Sequence, residues 1–125
     1  MSKSKFLLFS LCLFLLIGCD SNPYSKGELV YKNMCASCHM DDGSGLGGNI
    51  PSLKNNALYQ NMGQLTCTIT KGRINLENRS LAMPAFDQLS DIDLANLINF
   101  LNHQFGDDKQ YLPNNVSNLK KACNE

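Results

Sequence analysis

The chain has 125 residues, six of them cysteines, and its 11 Lys and Arg residues balance 11 Asp and Glu residues to a formal net charge of zero. A chain of this length is expected to form one domain. Its hydrophobic fraction of 43% is too high for an intrinsically disordered chain. The lack of excess positive charge argues against a nucleic-acid-binding protein, which would carry a basic surface.

The N-terminus has the features of an export signal. Lysines precede an apolar run at residues 6–17, which is shorter than the about 20 residues needed to cross a bilayer. The run ends in Leu-Ile-Gly-Cys at 16–19, which resembles the lipobox of bacterial lipoproteins, where cleavage precedes a cysteine that then receives lipid. We therefore predict a lipoprotein signal peptide at 1–18, a lipidated Cys19 and a linker at 19–24. The alternative is an ordinary signal peptide.

A short cysteine motif carries the strongest functional signal. Residues 35–39 read Cys-Ala-Ser-Cys-His, the attachment signature of c-type haem. Cys35 and Cys38 can both reach the haem vinyl groups from one helical turn, and His39 then lies under the iron as an axial ligand. A thioredoxin-like redox pair would need a βαβ context, and a zinc site would need a second close pair of ligands. Neither is evident in the sequence.

A second local pattern lies downstream of the haem motif. Residues 81–86 read Leu-Ala-Met-Pro-Ala-Phe, so Met83 precedes a proline that biases it away from helix. Between the two motifs lie a glycine-rich stretch at 41–48 and a Pro-x-Leu sequence that begins at Pro51. With these features in this order, residues 25–106 strongly resemble the small bacterial class I cytochromes c.

The resemblance implies a fold, a cofactor and a ligand set. The family has an all-α cytochrome c fold, with three to four helices wrapped around one covalently attached haem c, expected here at 25–106. Its Met-Pro methionine ligates the iron, which makes His39 and Met83 the implied axial ligands. The proline carbonyl of Pro-x-Leu accepts a hydrogen bond from the axial histidine, a role that falls on Pro51.

The family also predicts one helix crossing. A glycine and an aromatic residue of the first helix, here Gly27 and Tyr31, pack against the last helix at the positions of Leu97 and Phe100. A glycine at such a crossing allows close approach of the second backbone.

Local patterns predict where the helices begin and end. The sequence Ser-Lys-Gly-Glu at 25–28 fits a capping box for the first helix. Apolar residues at helical spacing predict a middle helix within 56–71. Ser90 and Asp93 form a start signal for the last helix, which Gly106 is expected to end.

The remaining cysteines raise the prospect of a disulfide. Residues 107–125 are a polar C-terminal extension that the family resemblance does not cover. Cys12 lies in the signal peptide and three cysteines are assigned above, which leaves Cys67 and Cys123 in an exported, oxidising context. A disulfide between these two would tie the extension to the middle helix.

Several functions are compatible with this sequence. Because a His/Met pair fills both axial positions, the leading interpretation is a monomeric one-electron carrier, not an enzyme, on the periplasmic side of a bacterial membrane. Its membrane contact would be the lipid anchor, and its redox partners a quinol-oxidising complex and a terminal oxidase or reductase. The alternatives are an open-site haem sensor or peroxidase, and an electron-entry subunit of a larger oxidoreductase docked through 107–125.

Overall fold

The computed structural model describes residues 22–74 and 81–124. The predicted signal peptide at 1–18 and the predicted lipidation site Cys19 lie outside this part. The described residues form five α-helices and one 3-10 turn: α1 Ser25–Met34, α2 Ala36–His39, the turn Ala57–Gln60, α3 Met62–Lys71, α4 Asp91–Phe105 and α5 Pro113–Ala122. These residues contain isolated β-bridges and no strand, so the prediction of an all-α fold is confirmed. Within the described residues, no helix combines the length and apolarity that a membrane span requires.

The first helix crosses the last helix of the predicted core at Gly27. A methyl group on Gly27 would lie 2.0 Å from the Asn96 carbonyl oxygen and 2.6 Å from Phe100 Cβ. One turn later, Tyr31 is 1% exposed and its ring lies 5.4 Å from that of Phe100. The predicted packing of Gly27 and Tyr31 against α4 is confirmed for Phe100, and it depends on the missing side chain at residue 27.

The predicted capping box of the first helix is wrong. Tyr24 occupies the N-cap position and α1 begins at Ser25, with no capping hydrogen bond from a side chain at the N-cap. The Glu28 carboxylate accepts a hydrogen bond from Lys32 at 2.6 Å, one turn further along. Asn22 precedes the helix and its Oδ1 accepts a hydrogen bond from the Tyr24 amide at 3.0 Å. The turn before α1 is therefore built by an asparagine that the sequence pattern did not single out.

The middle helix is shorter than predicted because two asparagines each start an element. Asn56 Oδ1 accepts a hydrogen bond from Leu58 N and opens the 3-10 turn. Asn61 Oδ1 accepts one from Gln64 N and opens α3. Asparagine favours such caps over helix interiors, so the predicted continuous helix over 56–71 is interrupted at residue 61.

The start and the end of α4 agree with the prediction. Ser90 Oγ accepts a hydrogen bond from Asp93 N at 3.1 Å and donates one to the Asp93 carboxylate at 2.7 Å. The helix ends at Phe105, followed by Gly106 as its C-cap. The apolar face of α4 supplies half of the buried apolar residues in the described part: Leu94, Ala95, Leu97, Ile98, Phe100, Leu101 and Phe105.

The polar C-terminal extension contains α5, a helix that the sequence analysis did not assign. Pro113 occupies its first position, where the missing amide hydrogen costs nothing. Val116 is fully buried and Leu119 packs partly buried against the core. The structure bonds Cys123 to Cys67 of α3, with 5.3 Å between their Cα atoms. One fully buried apolar residue among polar neighbours gives too weak a periodicity to predict this helix.

The connection from α4 to α5 is fixed by side chains at both ends. The Asn99 amide group exchanges two hydrogen bonds with the Tyr111 backbone, at 2.7 and 3.0 Å. His103 is exposed, and its ring stacks on that of Tyr24 at 4.0 Å. The His103 Nδ1 lies 2.8 Å from the Asp108 carboxylate. The chain before α1 is therefore packed against the end of α4.

The helix crossing can be tested with a glycine pair. Gly27→Ala should lower the free energy of unfolding by about 1–3 kcal/mol, because its methyl group would overlap a backbone oxygen. Gly63→Ala is the matched control, since its methyl group would lie 3.5 Å or more from its neighbours, and alanine's helix propensity should add up to about 1 kcal/mol. Guanidinium denaturation followed by circular dichroism measures both. Equal effects of the two variants would contradict the close crossing.

The link between α3 and α5 can be tested by reduction. The disulfide joins residues separated by 56 positions, and losing it should destabilise the protein by about 4 kcal/mol on the chain-entropy model. We expect dithiothreitol to lower the denaturation midpoint of the unmodified chain. The same reductant should leave the midpoint of the Cys67→Ala/Cys123→Ala variant unchanged, and a further shift in that variant would contradict this origin of the stability.

Candidate functional site

One turn of backbone brings Cys35, Cys38 and His39 together. α1 ends at Met34, Cys35 is the single residue before α2, and α2 ends at His39. The Cys35 carbonyl accepts hydrogen bonds from Cys38 N at 3.1 Å and from His39 N at 2.9 Å. Both thiols are free, that of Cys35 half-buried and that of Cys38 exposed. The turn therefore presents two sulfur nucleophiles and an imidazole in the order that the motif predicted.

A hydrogen bond to Pro51 orients the imidazole of His39. Its Nδ1 lies 3.1 Å from the Pro51 carbonyl oxygen. A carbonyl only accepts, so Nδ1 carries the proton and Nε2 keeps its lone pair for a metal. Burial lowers the pKa of His39 below its usual value, although the hydrogen bond to Pro51 acts in the opposite direction. The neutral, ligating form of the ring is thereby favoured.

The glycine-rich stretch at 41–48 is the loop that returns Pro51 to His39. Gly45 donates a backbone hydrogen bond to the His39 carbonyl at 3.0 Å and has a φ of +71°. A methyl group there would lie 2.3 Å from the Ile50 carbonyl oxygen, so the turn requires glycine. The loop continues with a backbone hydrogen bond from Leu53 N to Gly43 O at 2.8 Å. Its tightness fixes the distance between the proline carbonyl and the imidazole.

Polar contacts hold this loop on the core. The buried Tyr31 hydroxyl donates to the Met40 carbonyl, and burial raises the pKa of Tyr31 to about 12, so it remains a donor. Lys54 and the hydroxyl and amide of Ser44 lower the pKa of Asp42, which stays ionised and pairs with Lys54 at 2.9 Å. Burial, with a smaller contribution from Cys38, raises the pKa of Cys35 to about 11. In the haem-free chain Cys35 is therefore a neutral thiol, which must lose its proton before the sulfur can form a bond.

Met83 lies on a loop that is attached to the end of α3. Its amide and carbonyl exchange two backbone hydrogen bonds with Arg73, at 2.9 and 3.0 Å. Phe86 N donates to the Ile69 carbonyl at 3.1 Å. Gly72 has a φ of +71°, and a methyl group there would lie 2.3 Å from the Met83 carbonyl oxygen. Met83 and Cys35 are both partly buried against the same hydrophobic core.

Two buried polar side chains were not predicted from the sequence. Thr66 in α3 and Asn102 in α4 are fully buried, and the Thr66 hydroxyl and the Asn102 amide have no hydrogen-bond partner within the described residues. Asn102 lies one turn after Ile98, on the apolar face of α4. A polar residue at a core position of an otherwise apolar stripe is the signal that could have identified it.

The donor set fits a covalently attached haem. Two free thiols separated by one turn suit thioether bonds, a neutral imidazole with a free Nε2 suits the iron, and Met83 offers a half-buried thioether. Among the described residues, no group of three or more His, Cys, Asp or Glu side chains is arranged to hold a metal ion.

Comparison with known proteins gives the family. Residues 22–101 match the model described as cytochrome c oxidase, cbb3-type, subunit III. The chain is also 33% identical over 89 residues to the cytochrome c subunit of alcohol dehydrogenase (quinone) from Gluconobacter oxydans (strain 621H). That alignment covers 66% of this chain and 19% of the relative, so the chain spans about a fifth of the relative's length. The chain therefore belongs to the family described as cytochrome c oxidase, cbb3-type, subunit III, whose members are c-type cytochrome domains with covalently bound haem c.

Proposed function

We propose that the protein is a mono-haem c-type cytochrome that carries single electrons in a bacterial respiratory chain. The observation that supports this best is the turn at 35–39, with the His39 Nδ1 engaged by the Pro51 carbonyl and its Nε2 left free. The full sequence contains one Cys-x-x-Cys-His motif, which supports a single haem.

Each residue of the site has a separate role in this proposal. Cys35 and Cys38 form the thioether bonds, and His39 and Met83 are the axial ligands. Pro51 orients the imidazole and raises its basicity, as hydrogen-bond partners of metal-bound histidines do. When bound, the haem supplies an Fe(III)/Fe(II) couple that accepts and releases one electron.

The choice of ligands favours a carrier over a catalyst. The Met83 thioether is neutral and donates weakly, which favours the reduced state relative to a second imidazole. If His39 and Met83 both hold the iron, no coordination position would be left for a substrate. An open-site sensor or peroxidase would need one of these positions to be vacant or labile.

The N-terminal sequence supports a membrane tether on the periplasmic side. A lipidated Cys19 would carry two or more acyl chains, enough for stable anchoring. Such a tether confines diffusion to the membrane surface, where a quinol-oxidising complex and a terminal oxidase or reductase are the proposed partners. The contacts with them would be small and short-lived, as is usual for electron-transfer encounters.

The relative from Gluconobacter oxydans supports a second candidate function. Its name identifies a cytochrome c subunit of a quinone-dependent dehydrogenase. By analogy, this chain could serve as the electron-entry subunit of a larger oxidoreductase. Co-purification with one stoichiometric partner after mild detergent extraction would favour the subunit, and recovery of a monomer would favour the carrier.

The sixth ligand can be tested with Met83→Ala. The ferrous unmodified protein should not bind carbon monoxide, whereas the variant should bind it readily. The midpoint potential of the variant should fall by on the order of 0.1 V, a fraction of the about 0.8 V over which axial ligands set haem potentials. Absorption spectra and a mediated redox titration measure both effects.

Met34→Ala is the matched control, since Met34 is exposed on α1 beside the haem motif. We expect it to leave carbon monoxide binding and the potential unchanged. Carbon monoxide binding by the unmodified protein, as readily as by Met83→Ala, would show an open site and refute the carrier assignment.

The lipid anchor can be tested with a pair of cysteine variants. Cys19→Ala should abolish lipidation, and the haem protein should then no longer fractionate with membranes. Cys12→Ala changes a cysteine within the predicted signal peptide and should leave lipidation intact. Mass spectrometry of the mature N-terminus measures the modification, and an unmodified Cys19 in the native protein would contradict the tether.

A further inference from the structure

The C-terminal helix α5 and the two residues after it contact the loop that carries Met83 and also α3, the helix to which this loop is attached. We call residues 81–89, all within the described part, the Met83 segment. At its C-terminal end, Lys120 Nζ donates a hydrogen bond to the Leu89 carbonyl at 2.7 Å. On the other side, Cys67 of α3 forms a disulfide with Cys123, the residue that follows α5. The Lys71 ammonium group donates to Asn124 Oδ1 just beyond α5.

The backbone of Met83 depends on the helix that this disulfide holds. Met83 is paired with Arg73, two residues after α3 ends, and Phe86 N bonds the Ile69 carbonyl within α3. Cys67 lies one half-turn before Ile69 on the same helix. A displacement of the end of α3 therefore moves the attachment points of Met83.

α5 is itself well attached. Val116 is fully buried, Leu119 packs against the core, and the disulfide adds a covalent bond near the helix end. The family match ends at residue 101, so α5 lies outside the region that the family describes. Its role must therefore be inferred from its contacts in this chain.

We propose that α5 is a positioning element for the sixth haem ligand. Lys120 holds the C-terminal end of the Met83 segment at Leu89, and the Cys67–Cys123 bond holds α3, whose end positions Met83 through Arg73. Together these contacts limit detachment of the methionine thioether. This inference rests on the proposed function, because it requires Met83 to be the axial ligand.

The physical basis is local opening. A thioether leaves the iron only when its loop moves away, and the population of that open state depends on how firmly the loop ends are held. The Cys67–Cys123 disulfide restricts the movement of α3, to which the loop is attached. At Leu89, the hydrogen bond from the Lys120 ammonium group to a partly buried carbonyl is charge-assisted and therefore among the stronger hydrogen bonds of a protein.

The experiment uses the ferric, haem-loaded full chain and measures the rate at which imidazole replaces the sixth ligand. Lys120→Met removes the ammonium group and keeps the stem and the disulfide. It should accelerate replacement by about three- to tenfold, the factor that corresponds to one net hydrogen bond. Cys67→Ala/Cys123→Ala should accelerate it by about tenfold or more.

Two controls separate bracing from general stability. Lys121→Met removes the neighbouring, exposed ammonium group of the same helix and should leave the rate unchanged. Ile98→Val truncates a fully buried residue of α4 and lowers global stability without touching α5 contacts named above. Replacement through local opening should depend weakly on denaturant, whereas replacement through global unfolding should depend on it steeply.

The outcomes distinguish the two proposals. If Lys120→Met and the double cysteine variant exchange at the unmodified rate while Met83→Ala binds imidazole freely, the brace is overturned and the ligand assignment stands. If Met83→Ala binds imidazole no faster than the unmodified protein, the ligand assignment fails and the brace with it. If the double variant does not fold, Lys120→Met alone decides, because it retains the disulfide.

Discussion

The hydrogen bond between His39 Nδ1 and the Pro51 carbonyl is the contact on which the site depends. It fixes the ring, places the proton on Nδ1 and leaves the lone pair of Nε2 free. The carbonyl reaches the ring because Gly45 lets the chain turn back within a few residues. Tyr31 holds the start of the same loop from α1. The position of the His39 imidazole therefore depends on Pro51, Gly45 and Tyr31, and substitution of any one of them would disturb it.

The two proposed axial ligands are held in different ways. His39 ends α2, which follows α1 after a single residue, and α1 packs closely against α4 at the Gly27 crossing. Met83 belongs to a loop whose position derives from the end of α3 through Arg73. The loop that carries Met83 is therefore the part of the proposed site that structural changes outside the family match can affect.

Local patterns predicted the parts of the fold that depend on local chemistry. The Ser90 cap and the end of α4 at Gly106 follow from neighbouring residues, and the structure has both. The middle helix was predicted too long because hydrophobic spacing does not reveal that Asn61 starts a new element. α5 was missed because its stability comes from one buried valine and contacts to distant residues, such as that of Lys120 with Leu89. Such long-range contacts leave no periodicity in the sequence.

The stacking of Tyr24 on His103 has a consequence for the reach of the protein. The Gln110 amide group also donates a hydrogen bond to the Tyr24 hydroxyl, so Tyr24 is held at a fixed point of the folded domain. With Cys19 lipidated as proposed, the five residue steps from Cys19 to Tyr24 would span at most about 18 Å. A domain of about 100 residues has a radius of gyration of about 13 Å. The gap between the haem domain and the lipid headgroups would then be at most comparable to the size of the domain itself, and only partners with docking faces at that height could exchange electrons with it.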